Sequence, residues 1–322
     1  MKKRPKIGLA IGGGAAYGLS AIGVLRVLEE YKIPIDIISG TSIGAVIGAL
    51  YASGMRSFSL EDEVLSTQWR ELLDFILPEK GLVSGKKVEE HIRELINNKT
   101  FEELDIPLLI TAVDIVEGKE VVFYKGDVAT AVRASISIPG VFTPVEMDDL
   151  ILVDGGVLDP IPTGILKKRC NTLIALDFMR KTKPVAYASS EKENSELLEG
   201  IKQDFIETEL KCIEDHLKRG KINLPRSFRW FVSPKSLYKN VKKKPLSLSS
   251  LKILEVTKQS HNLMMNEVAE LKLLLNPPSI RIKPDLSKME WLDFDKGEYA
   301  IKQGEAAARA QINKIIKAVK KR

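Results

Sequence analysis

The chain has 322 residues, 44% hydrophobic, 29% charged and 6% aromatic, with a net charge of +6. That apolar share over that length supports a sizeable buried core and excludes a disordered or fibrous protein. The two cysteines, Cys170 and Cys212, exclude a disulfide framework and offer no metal-ligand spacing, so a reducing compartment is the expected setting.

In chain order, a basic opening, Met1 to Lys6, leads into apolar residues from Ile7 to Val24. Four glycines between Gly12 and Gly18 make that stretch a poor signal helix. No apolar run approaches the roughly 18 residues needed to cross a bilayer, so the expectation is a soluble, cytoplasmic protein, at most peripheral to the inner membrane face. Up to about Asp177, short β-type runs alternate with helical patterns. The runs are Ile7–Ile11, Ile35–Ser39, Leu108–Val113, Glu120–Tyr124, Leu150–Val153 and Leu173–Leu176. Helical patterns cover Ser20–Glu30, the stretch from Ile43 to Ala52, Lys86–Asn97 and Ala129–Ser135. This alternation predicts a layered α/β domain with a largely parallel central sheet. Several strands lack polar alternation, as strands covered on both faces do.

The composition changes between residues 181 and 250, which read as a basic helical insertion within a single domain spanning 1–322. Residues 211–244 hold eleven Lys or Arg against two acids, a net +9 that exceeds the whole chain's +6, with Phe228, Trp230 and Phe231 among them. Cations interleaved with aromatics suit an anionic lipid surface; nucleic acid fits the charge alone, without a recognised binding module, and a solvated helical excursion is the plainer reading. Beyond Ser250, His261, Met264, Met265, Val268, Leu271 and Leu275 fall at helical spacing and predict a core-facing stripe. A short strand is expected at Ser279–Ile282. A last helix is expected from about Gly304, burying Ala308, Ile312, Ile315, Ile316 and Val319.

Three motifs carry chemistry. Gly40-Thr41-Ser42-Ile43-Gly44 joins a strand to a helix, the form of a nucleophile elbow, in which Ser42 stands on a tight strained turn. Gly12-Gly13-Gly14-Ala15-Ala16-Tyr17-Gly18 also joins a strand to a helix, where glycines let backbone amides converge on an anion. Its spacing, G-x-G-x-x-x-G, misses the dinucleotide fingerprint and suits an oxyanion hole better. Asp154-Gly155-Gly156 follows a strand and places a carboxylate near the sheet's C-terminal edge, although an ordinary Asp-Gly turn reads the same way.

Taken in order, these motifs and Ser137-Ile138-Pro139-Gly140, with Phe142 and Pro144, resemble the patatin-like phospholipase family, specifically its bacterial single-domain members. The resemblance implies a three-layer α/β/α sandwich and a lipid acyl hydrolase cleaving phospholipid, lysophospholipid or another fatty-acyl ester. It implies Ser42 as nucleophile and Asp154 as base, with an oxyanion hole from Gly12, Gly13, Gly14 and Ile43. Gly18, Gly40, Gly44, Gly155 and Gly156 are the motif glycines. No metal or cofactor is implied. A Ser-Asp dyad fits a chain whose three histidines, His91, His216 and His261, lie outside any such motif and read as structural. Relatives commonly carry arginine where Tyr17 stands, and often histidine where Ala21 stands. The alternative is therefore a catalytically weak or silent protein of the same fold that binds lipid or a protein partner.

Overall fold

The computed structural model describes residues 4–69, 71–74, 83–180 and 248–320, with side chains described throughout except over 248–258. The strands are β1 (Ile7–Ile11), β2 (Ile37–Thr41), β3 (Leu108–Asp114), β4 (Lys119–Phe123), β5 (Val145–Met147), β6 (Leu150–Asp154), β7 (Thr172–Leu176) and β8 (Ile280–Ile282). The helices are α1 (Ser20–Glu30), α2 (Ile43–Ala52), α3 (Ser57–Ser66), α4 (Lys86–Leu95), α5 (Val128–Ser135), α6 (Leu248–Leu275) and α7 (Gly297–Lys320).

The sheet runs β5-β6-β3-β2-β1-β7-β8, with β4 on the other edge of β3. The strands β3, β2, β1, β7 and β8 are parallel to one another; β4, β5 and β6 pair antiparallel. Side chains of a strand alternate between faces, so the two alternating sets of residues along each parallel strand feed different layers. Ile7, Leu9 and Ile11 of β1, with Ile38, Ile110, Ile174 and Ile282, pack under α1, α2, α5 and α7. Ala10, Leu109, Leu173 and Ala175 face the other way, onto Ile161, Leu166 and, from α6, Ala269 and Leu273. The result is the expected three-layer α/β/α arrangement.

Three elements depart from the sequence reading. Strand β2 ends at Thr41 rather than Ser39, because pairing with β3 carries it through Gly40. Helix α7 begins at Gly297, not Gly304. Gly304 lies inside it as a contact point: a Cβ there would sit 1.9 Å from the Ser20 carbonyl oxygen, and one on Gly23 would sit 2.0 Å from that of Ile301. The two helices thus cross backbone to backbone. On α6 the buried line is Ala269 and Leu273, with Met265 packed against them, and His261 lies half-buried on the same i, i+4 row. Met264, Leu271 and Leu275 are exposed, so only part of the predicted stripe faces the core. The sequence also left α3 unassigned, and most of the basic insertion, residues 181–247 with His216, Cys212 and the 211–244 stretch, lies outside the described residues.

Candidate active site

Strand β2 delivers Ser42 to the C-terminal edge of the sheet, and α2 starts at the next residue. Ser42 has φ 56° and ψ −125°, a strained conformation for a residue with a side chain. The flanking glycines make the corner possible. A Cβ on Gly44 would stand 2.2 Å from the carbonyl oxygen of Ile11, and one on Gly40 would stand 2.4 Å from that of Gly44. The strained peptide is held by Ser135 of α5, whose Oγ accepts the Ser42 N–H at 2.8 Å. Sequence reasoning missed Ser135, since only the packing of α5 under the elbow reveals it.

Asp154 arrives from the opposite direction along the same edge of β3. On that edge β2 pairs as far as Thr41 with Thr111; the next β3 residue, Ala112, pairs with Asp154 of antiparallel β6. The ends of β2 and β6 therefore meet, and residues 42 and 154 meet with them. The Asp154 N–H donates to the carbonyl of Ser137 at 3.0 Å, which gives the Ser137–Gly140 motif its structural part. The carboxylate accepts the Gly156 N–H at 2.7 Å. Burial pushes this carboxyl up to about 6, opposed by hydrogen bonds from the Ser42 hydroxyl and the Gly156 amide. Burial disfavours the anion and the two donors favour it; here burial wins. Gly155 has no room for a Cβ, 2.5 Å from Thr111 O, and a Cβ on Gly156 would meet Met265 Cε of α6 at 2.6 Å.

The glycine-rich loop closes the third side. A Cβ on Gly13 would touch Ser42 Cβ at 3.4 Å, and one on Gly18 would collide with Ile43 Cγ2 at 2.2 Å, so loop and elbow are in direct contact. The amides are not equivalent, however. Gly12 N–H donates to Leu176 O at 3.1 Å and Gly13 N–H to Pro160 O at 2.9 Å, so the fold itself uses both. This departs from the expectation that Gly12 and Gly13 present amides to a ligand. Gly14, at φ +144°, and Ile43, at the start of α2, are the expected donors whose N–H groups have no partner among the described residues. Tyr17 lies in the short turn beyond Gly14. Its ring sits under the guanidinium of Arg180, 5.3 Å away, and its hydroxyl accepts from Arg180 Nη1 at 2.9 Å.

The remaining titratable groups sort clearly. His91 bonds Glu63 at 3.2 Å, and His261 is held below its ordinary pKa by burial. Asp159 is a buried acid that the sequence did not flag. Its carbonyl accepts from Thr41 Oγ1 at 2.9 Å, and its carboxyl is pushed up to about 7 by burial and by Glu120, against the pull of Lys272. Among the described residues no cluster of three or more His, Cys, Asp or Glu could hold a metal ion, and no helix is long and apolar enough to cross a membrane.

The protein is thus an α/β molecule with a serine on a strand–turn–helix corner, a dry carboxyl against its hydroxyl and, among the described residues, unpartnered amides alongside. Residues 9–167 match the family model of the patatin-like phospholipases, and over that stretch the chain is similar to that family. An uncharacterized NTE family protein of Mycobacterium tuberculosis is 38% identical over 160 residues, which are 49% of this chain and 44% of that one. Lysophospholipase NTE1 of Candida glabrata is 35% identical over 178 residues, 53% of this chain and 10% of that one. The chain thus spans less than half the length of these curated relatives. Among solved structures, VipD from Legionella pneumophila aligns with a TM-score of 0.46 and 13% identity, covering 97% of this chain and 67% of that one.

Proposed function

We propose that the protein is a serine acyl hydrolase that cleaves fatty-acyl esters of the phospholipid or lysophospholipid class. The observation that carries this reading is the strained Ser42 with its hydroxyl against a buried Asp154 whose carboxyl sits at about 6. Such a carboxyl is ionised at neutral pH yet far more basic than an exposed aspartate, as a general base needs to be. Asp154 takes the hydroxyl proton as Ser42 Oγ attacks the ester carbonyl. The negative charge that forms on the carbonyl oxygen is held by the amides of Gly14 and Ile43. Collapse expels the alcohol, which receives the proton from Asp154. The same carboxylate then activates water to hydrolyse the acyl-serine. Gly12 and Gly13 support the loop by their bonds to Leu176 and Pro160.

The choice of lipid esters rests on the family and on the relative named a lysophospholipase. The test is turnover of p-nitrophenyl esters together with covalent labelling by a fluorophosphonate. Wild type is expected to turn over and to label, and Ser42→Ala to lose labelling and at least about a thousandfold in kcat. An unlabelled, inactive wild type would leave the binding-protein alternative in possession.

A further inference from the structure

Helix α6 buries one side and leaves the other bare. Opposite Ala269 and Leu273, the side chains of Leu263, Met264, Leu271, Leu274 and Leu275 are between 51% and 76% exposed. One exposed leucine is ordinary, but five large aliphatic side chains along one helix mark a contact surface. The surroundings define its chemistry. Lys167, Lys168 and Arg169 are all exposed, and Lys167 Nζ bonds the carbonyl of Leu275 at 3.1 Å, which fixes the basic run to the leucine-rich end of the helix. Of the two acids on the outer side, Glu267 and Glu270, the second is bound by Arg281.

We propose that the outer side of α6, centred on Leu271, Leu274 and Leu275 and flanked by Lys167, Lys168 and Arg169, docks on an anionic lipid bilayer. Aliphatic groups that enter the acyl boundary while cations meet the headgroups are what an interfacial helix presents. The five exposed side chains include no aromatic residue and no arginine, the anchors that protein interfaces concentrate. The proposal rests on the hydrolase reading for its purpose. Met265 of the same helix touches Gly156 beside Asp154, so a helix seated in lipid brings the site to the surface that holds its substrate.

The test is co-sedimentation of the full chain with vesicles of phosphatidylcholine alone or mixed with phosphatidylglycerol. Wild type is expected to favour the anionic vesicles. Leu271→Glu/Leu274→Glu/Leu275→Glu is expected to lose about tenfold or more in partitioning, while its melting temperature and its fluorophosphonate labelling stay at wild-type values. Because three glutamates could disturb folding, Lys167→Ala/Lys168→Ala/Arg169→Ala supplies a second arm, expected to erase the preference for anionic vesicles. The proposal is overturned by wild type that ignores vesicles, or by a leucine variant that binds as wild type does. It is equally overturned if the leucine substitutions split a dimer, or lower the melting temperature steeply, with vesicle binding intact. Those results would assign the surface to a second copy or to the chain's own residues. Loss of labelling in wild type would count against the hydrolase reading alone.

Discussion

The two faces of the sheet are built on opposite terms. The face under α1, α2 and α7 is almost wholly aliphatic, and its helices approach until Gly23 and Gly304 touch backbone. The face under α6 has a much smaller apolar cluster and holds an acid in dry surroundings, Asp159 beside Glu120. Asp159 Oδ1, Glu120 Oε1 and Thr163 Oγ1 are buried there without a hydrogen-bond partner among the described residues. Tight aliphatic packing secures the fold on one side. The other side tolerates buried polar groups at a cost, as functional regions do.

The first face is the more sensitive of the two to substitution. Gly304→Val would drive side-chain atoms into the Ser20 carbonyl and separate α1 from α7, with a loss on the order of 3 kcal/mol or more, read by denaturant unfolding. The buried carboxyls predict an effect of opposite sign. The carboxyls of Asp154 and Asp159, at about 6 and about 7, hold a proton more tightly than in the unfolded chain, where aspartate titrates near 4. The contribution of these two carboxyls to stability should therefore fall as pH rises from about 4 to about 7 and level off above. Asp159→Asn removes the larger part of that slope. At pH 8 it should exceed wild type by on the order of 2 kcal/mol, and near pH 4 the two should coincide; a variant less stable than wild type at pH 8 would contradict the assignment. The smallest effect is kinetic. In the proposed mechanism kcat/KM rises with pH through a midpoint of about 6 as Asp154 ionises, and drops about tenfold for each pH unit well below it. A rate that is flat between pH 5 and 8 would remove Asp154 from the role of base.

Local features of this molecule were legible in the sequence, and features made by distant partners were not. The elbow around Ser42 could be read because glycine spacing encodes a backbone collision, and the collisions of Gly40 and Gly44 bear that out. The same holds for the contact of Gly18 with Ile43. The spending of the Gly12 and Gly13 amides could not be read, because their acceptors, Leu176 and Pro160, lie more than a hundred residues on. Ser135 escaped notice for the same reason. The rotation of α6 was ambiguous because leucine and methionine occur all round its second half, so periodicity alone could not choose between Ala269 with Leu273 and Leu271 with Leu275. Gly304, read as a helix start, is a helix contact; a glycine signals either until its neighbour is known.

The shared edge of β3 has a genetic consequence. Because the hydroxyl and the carboxyl are spaced by the ladder and not by any connecting loop, the stretches joining β3, β4, α5, β5 and β6 can gain or lose residues without altering the gap between positions 42 and 154. A slip of β6 by one residue would instead turn Asp154 to the opposite side of the sheet. Length variation should accumulate in those connections and be purged from the strand pair, so that divergent copies of this scaffold would differ in outline long before they differ in the distance at its centre.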